Sequence, residues 1–267
     1  MQVAYAYEKN KNANLFNLNN LEPYVSKMKT TLLGLAVAMS SIGAAYAAPQ
    51  TVGGVTWDPE YGLDFSSSSV QMHQIFEQDG TARGYGIIST MNGTAQDKFC
   101  AGCELTIVYG GYTPSTVTGN TTLYTGGFVN IFVNNGPSTI NPADPLSMND
   151  GNVGLGTLWL SLAGHEYEGA TLRGTVNSTL PPNLSGLGQL DVVGGVAAAY
   201  FDTNAQVDGS DLSFSSSFTQ PFPGTTNHVV GTGNFYGMTS PVPEPGTYMM
   251  MGAGLLTLAA LRRRKQR

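Results

Sequence analysis

Seven stretches of the chain run at strand length, and turn signals separate most of them. They are YGIIST (85–90), CELTIVYGGYT (103–113), TLYTGGFVNIFVNN (122–135), GTLWLSLAG (156–164), ATLRGTVNSTL (170–180), GGVAAAYFDT (194–203) and DLSFSSSF (211–218). Apolar and polar residues alternate along much of them, and a period of two puts successive side chains on opposite faces, which suits a half-buried strand. Asn92-Gly93, Gly119-Asn120, Asn135-Gly136-Pro137, Asp150-Gly151 and Asp208-Gly209 supply the turns, since Asn, Asp and Gly tolerate the positive φ of tight hairpins. The expected fold is therefore all-β, an antiparallel β-sandwich or jelly-roll-like domain. The alanines of GGVAAAYFDT leave a short helix open at that point. No segment recurs at a fixed period, which argues against a solenoid.

Charge separates the middle of the chain from its ends. Residues 48–243 hold three cations, Arg83, Lys98 and Arg173, against fifteen acids, a net charge of −12 where the whole chain carries −6. Such a surface repels phosphate, so nucleic-acid binding is not expected. Glycine-rich and sparsely charged, yet well supplied with aromatic and β-branched residues, the middle reads as an extracellular β-protein and not as a disordered segment.

Both ends read as addresses. From Met28 onward, Lys29 gives a short positive region, 32–39 an apolar run, and Ala45 and Ala47 an A-x-A site before Ala48. That order is a secretory signal peptide over 28–47, expected as a helix too short to span a bilayer. Residues 1–27, polar and rich in Asn and Lys, read as a non-native extension with Met28 as the initiator. At the other end, residues 247–261 are apolar or small. As a helix they reach about 22 Å, against roughly 30 Å of hydrocarbon, so they span only a thin or deformed bilayer. Arg262, Arg263 and Arg264 follow, and the positive-inside preference keeps them cytoplasmic as a membrane stop. Pro243 and Pro245 hold Glu244 in extended, accessible backbone.

Pro243-Glu244-Pro245, the short apolar helix and the arginine cluster together resemble the PEP-CTERM sorting signal, a family also labelled the ice-binding protein C-terminal domain. The resemblance implies recognition by exosortase, a membrane-embedded cysteine transpeptidase of Gram-negative bacteria. It implies export, trimming near the motif, transient residence in the inner membrane, and delivery to the cell surface or an exopolysaccharide matrix. The ice-binding label implies little here: ice faces need flat, regular threonine arrays, and Thr116-Val117-Thr118 is isolated. The expected organisation is thus a domain over 48–220, a linker over 221–240 and the sorting signal over 241–267.

Within the domain, Cys100 and Cys103 are the chain's two cysteines. In an exported protein a local disulfide at the start of a strand is the default. A redox site would need the first cysteine at a helix N-terminus, and a metal site would need further ligands. The phrase FCAGCEL also resembles an element that recurs in exported PEP-CTERM proteins of unassigned activity. His165 beside Glu166 and Glu168 lacks the second histidine of a zinc motif and reads as a hairpin end. Asp202, Asn204, Asp208 and Asp211 offer hard oxygens in a glycine-containing loop, the best candidate set for calcium, although the spacing fits no standard calcium loop. No serine elbow or triad anchor appears, and no cofactor besides calcium is expected.

The expected protein is an exported, non-enzymatic surface or matrix protein that exosortase processes, with a role in exopolysaccharide or biofilm architecture. The alternatives are a carbohydrate-binding or carbohydrate-active protein, whose aromatic face would use Trp57, Tyr85, Trp159 and Tyr167, and a calcium-dependent adhesin.

Overall fold

The computed structural model describes residues 49–58, 65–66, 70–136, 140–220, 227–240 and 251–256, all within the unit Tyr46–Arg267. The expectations for 1–27, for the signal helix at 28–47, for Pro243, Glu244 and Pro245, and for Arg262, Arg263 and Arg264 lie outside the described residues. In chain order the elements are β1 (Gln50–Val52), β2 (Val55–Trp57), β3 (Phe65–Ser66), β4 (Val70–Phe76), β5 (Ala82–Ile88), β6 (Thr90–Met91), β7 (Thr94–Ala95) and α1 (Gln96–Phe99). There follow β8 (Glu104–Thr118), β9 (Thr121–Asn134), β10 (Thr157–His165), β11 (Leu172–Thr179), β12 (Pro182–Gly194), α2 (Ala198–Phe201), β13 (Leu212–Thr219) and β14 (His228–Gly237).

The antiparallel sheet closes on itself. Strand pairs run β11–β9–β8–β5–β4–β14–β13–β12, and β12 pairs back onto β11. β10 fills the same gap further along, against 128–133 of β9 and 189–194 of β12. Where the registers overlap the wall has eight strands paired on both sides, and residues 113–118 of β8 extend beyond β5 against β9 alone. Closure removes the exposed edges that invite misassociation. The all-β antiparallel class is as expected, and the long β9 and β12 explain the barrel. Each has room for two short partners end to end on one side.

Two boundaries differ from expectation. The segment GGVAAAYFDT forms helix α2 in place of a strand, the outcome its alanines left open. Of the expected linker at 221–240, residues 228–237 form β14, in mid-wall between β13 and β4. Its glycines obscure the alternation, yet they are what let the strands approach. At Gly231 a Cβ would stand 1.9 Å from the Ser217 carbonyl oxygen.

One end of the barrel is closed by aromatic packing. The β1–β2 hairpin lies over the end where β8 starts, and Trp57 meets Trp159 edge-on at 5.8 Å and Phe201 of α2 at 5.4 Å. All three rings are buried, and the Trp159 indole N–H donates to Val52 O at 3.0 Å. Outside the wall, Ile140, Met148 and Val153 cover Ile75, Tyr85 and Ile87 of β4 and β5. That cover explains why YGII is apolar on both faces.

Candidate functional site

Asp211 immediately precedes β13 and is buried. One carboxylate oxygen accepts the N–H groups of Thr203 (2.7 Å) and Asn204 (2.6 Å), and the other accepts that of Val192 (2.8 Å). Asn204 is held at φ 51° and Asp208 at φ 58°, the left-handed region that Asn and Asp tolerate best. The side chains of Asp202, Asn204 and Asp208 sit in exposed positions instead of converging on Asp211. The calcium set expected from sequence is therefore not assembled, because its buried member is spent on the backbone. Among the described residues, no group of three or more His, Cys, Asp or Glu side chains is placed to hold a metal ion.

His165 ends β10 as expected of a hairpin end. Glu168 and Gly169 make the turn at φ 49° and 78°, and Glu168 pairs with Arg173 at 2.9 Å. The His165 ring turns instead to Asp191, whose two oxygens lie 2.9 Å from Nδ1. Asp208 stands 3.8 Å from Nε2.

A second histidine group was not named from sequence. His73 Nδ1 lies 3.2 Å from Met148 O, a carbonyl that can only accept, so the ring donates there. In the neutral ring Nε2 is then bare, and it accepts from His228 Nδ1 at 2.9 Å. Burial holds the His73 imidazole below its ordinary value, against the Met148 bond, and the charge of His228 lowers it further. The unfolded chain therefore takes up a proton near pH 6.5 that the folded protein refuses. Stability from this group is full above pH 6.5 and declines as pH falls below it, by up to about 1.4 kcal/mol per pH unit. Denaturant titrations at pH 7.5 and pH 5 are expected to show that loss, and His73→Gln is expected to reduce it.

The aromatic residues proposed for a sugar-binding face do not form one. Trp57 and Trp159 belong to the end plug. Tyr85 lies under the outer cover, where its hydroxyl donates to Asp150 at 2.6 Å and accepts from Arg83 at 3.0 Å. Tyr167 sits in the β10–β11 hairpin, bridged to Ala170. Cys100 and Cys103 are joined as a disulfide with Cα atoms 5.1 Å apart. Cys100 caps the C-terminal end of α1, the end opposite to the one that stabilises a thiolate. The pair fastens the start of β8.

The half of the barrel away from the aromatic plug is not filled. A cavity of about 250 Å³ lies there. Across one wall the paired positions Gly174, Gly186, Ser216 and Gly233 form a row on four neighbouring strands, and directly opposed residues share a face. The other lining includes Tyr109, Tyr112 and Tyr124, all buried. Tyr109 reaches only His73 O and Gln74 Oε1, both at 3.5 Å. Burial pushes all three phenols up, Tyr112 adding to the effect at Tyr109. No Asp, Glu, Lys, Arg or His lines the space. The row exists only once strand register is known, so the sequence alone does not reveal the space.

At the C-terminal end residues 251–256 are helical, with Met251, Leu255 and Leu256 exposed. No helix among the described residues is long and apolar enough to cross a membrane. No curated protein and no solved structure matches the chain. The family model of the PEP-CTERM protein-sorting motif matches residues 241–265, the stretch in which proline-flanked Glu244, the apolar run and the arginines stand in that order. The chain therefore carries a PEP-CTERM protein-sorting motif, which supports its export as a membrane-anchored precursor and its sorting by exosortase.

Proposed function

We propose that the barrel acts outside the cell as a non-enzymatic component of the extracellular polymer matrix, in exopolysaccharide or biofilm architecture. The sorting motif at 241–265 carries this reading, because it commits the chain to delivery beyond the inner membrane. Two features of the body support it. The net charge of −12 over 48–243 keeps a secreted protein soluble among polymers. The histidines that would serve acid–base chemistry are engaged by the scaffold, His165 with Asp191 and His73 with Met148 and His228.

Fractionating the native host tests this role. The protein is expected to co-purify with the exopolymer in wild-type cells, and its deletion is expected to change the mechanical strength of the biofilm. Recovery only from the culture medium, with an unchanged biofilm, would contradict the role while leaving sorting intact.

A further inference from the structure

The residues that line the barrel's interior lie apart from the sorting motif at 241–265, so a ligand site there is a separate question from delivery. We infer that the cavity is a binding site for a small, neutral, mainly apolar organic molecule, about two fused rings in size, that carries a carbonyl oxygen.

Size is the first reason. Closed eight-stranded barrels have an interior that side chains just fill or that holds one small ligand. Here the plugged half follows the first pattern and the open half the second. A dry cavity of about 150 Å³ admits benzene, so the volume of about 250 Å³ found here takes a larger, bicyclic molecule. The space also arises from specific residue choices. On the same inward face, Leu172, Phe214 and Phe235 lie on one side of the glycine–serine row, and Val176, Leu184 and Phe218 lie on the other. The row between them holds no side chain larger than serine, and Gly188 and Gly231 interrupt the bulk of the flanking rows.

The lining sets the chemistry. With no charged residue present, an ionised ligand would enter without a counter-charge and at a large desolvation cost. Against Met72, Phe76, Val129 and Leu172 a water molecule would lack the two to four polar partners it needs, so that side of the space suits an apolar guest. The polar groups are hydroxyls and one carboxamide, all able to donate as well as accept. The hydroxyls of Tyr112, Tyr124 and Ser216 make no hydrogen bond to any described residue, and the Gln74 side chain is engaged only through its oxygen. A phenol that finds no partner in the wall is free to donate to a guest, and a carbonyl oxygen accepts from such groups. Thr175 and Ser185, both half-buried, place further hydroxyls along the lining.

The test uses the exported protein recovered from the host surface in detergent-free buffer. The neutral naphthalene ketone prodan is the probe, and anilinonaphthalene sulfonate is its charged counterpart. Prodan emission is expected to rise saturably at one molecule per chain, with the sulfonate binding at least tenfold more weakly. Ser216→Leu, which puts bulk into the row, is expected to weaken prodan at least tenfold while melting at the same temperature or higher. Tyr112→Phe keeps the shape and removes one donor, so it is expected to retain the probe with emission shifted to the blue. This second variant keeps the test decisive if Ser216→Leu does not fold. The inference is overturned if prodan shows no saturable binding, if Ser216→Leu binds it unchanged, if Tyr112→Phe leaves the emission where it was, or if the sulfonate binds as well as prodan.

Discussion

Asp211→Ala is expected to destabilise the barrel by about 4 kcal/mol, because a buried carboxylate that accepts three backbone N–H groups would be lost. Each such charge-assisted bond contributes roughly 1.5–3 kcal/mol, and the three do not simply add. For a barrel of this size the loss corresponds to a fall of about 10 °C in Tm. Asp211→Asn keeps the oxygen that serves Thr203 and Asn204 but turns an amide toward the Val192 N–H, so roughly half the loss is expected. Alanine at the exposed Asp202 is expected to change Tm by less than about 2 °C. Equal losses at 202 and 211 would mean that the two carboxylates act together, as ligands of an ion would, and calcium titration of the wild type would then raise Tm.

The second large effect concerns the sorting signal. Glu244→Ala within Pro243-Glu244-Pro245 is expected to stop trimming, so that the precursor accumulates at full length in the inner membrane. Glu244 is the charged residue between the two prolines of the matched motif, which makes it the position to test. Replacing Arg262, Arg263 and Arg264 by glutamine is expected to act differently. It removes three charges that the positive-inside preference would keep cytoplasmic, each worth about 1 kcal/mol near an anionic leaflet. Uncut protein is then expected to appear on the outer side of the membrane. Immunoblots of membrane and surface fractions separate the two outcomes.

Turn chemistry made much of the fold legible in advance. Asn92-Gly93 takes φ of 51° and 72°, and Asp208-Gly209 takes 58° and 82°, as those dipeptides predict. β8, β9, β10, β11 and β13 fall where alternation placed them. What was hidden has a common cause. β12 and β14 carry glycine at inward positions, so their apolar period breaks where neighbouring strands come closest. β4 is the opposite case: VQMHQIF packs on both faces, with His73 and Ile75 under the outer cover and Met72 facing inward, which erases a period of two. The candidate sites divided along another line. The sorting signal is linear and therefore readable, whereas Asp211, the His73–His228 pair and the cavity depend on contacts across the barrel. Acidic residues close in sequence suggested a cation, but loop folding sends Asp211 inward to the backbone and leaves its neighbours outside.

The most direct measurement is the intact mass of the protein recovered from the outer surface of its native host, with exosortase present and with it deleted. Sorting through the C-terminal motif predicts a mass that lacks the residues beyond the cleavage site, in the arginine-bearing signal at 241–265, only when exosortase is present. The full-length C-terminus should be kept in the membrane of the deletion strain. A surface protein that retains its arginine tail in both strains would contradict the account and make the segment a plain anchor.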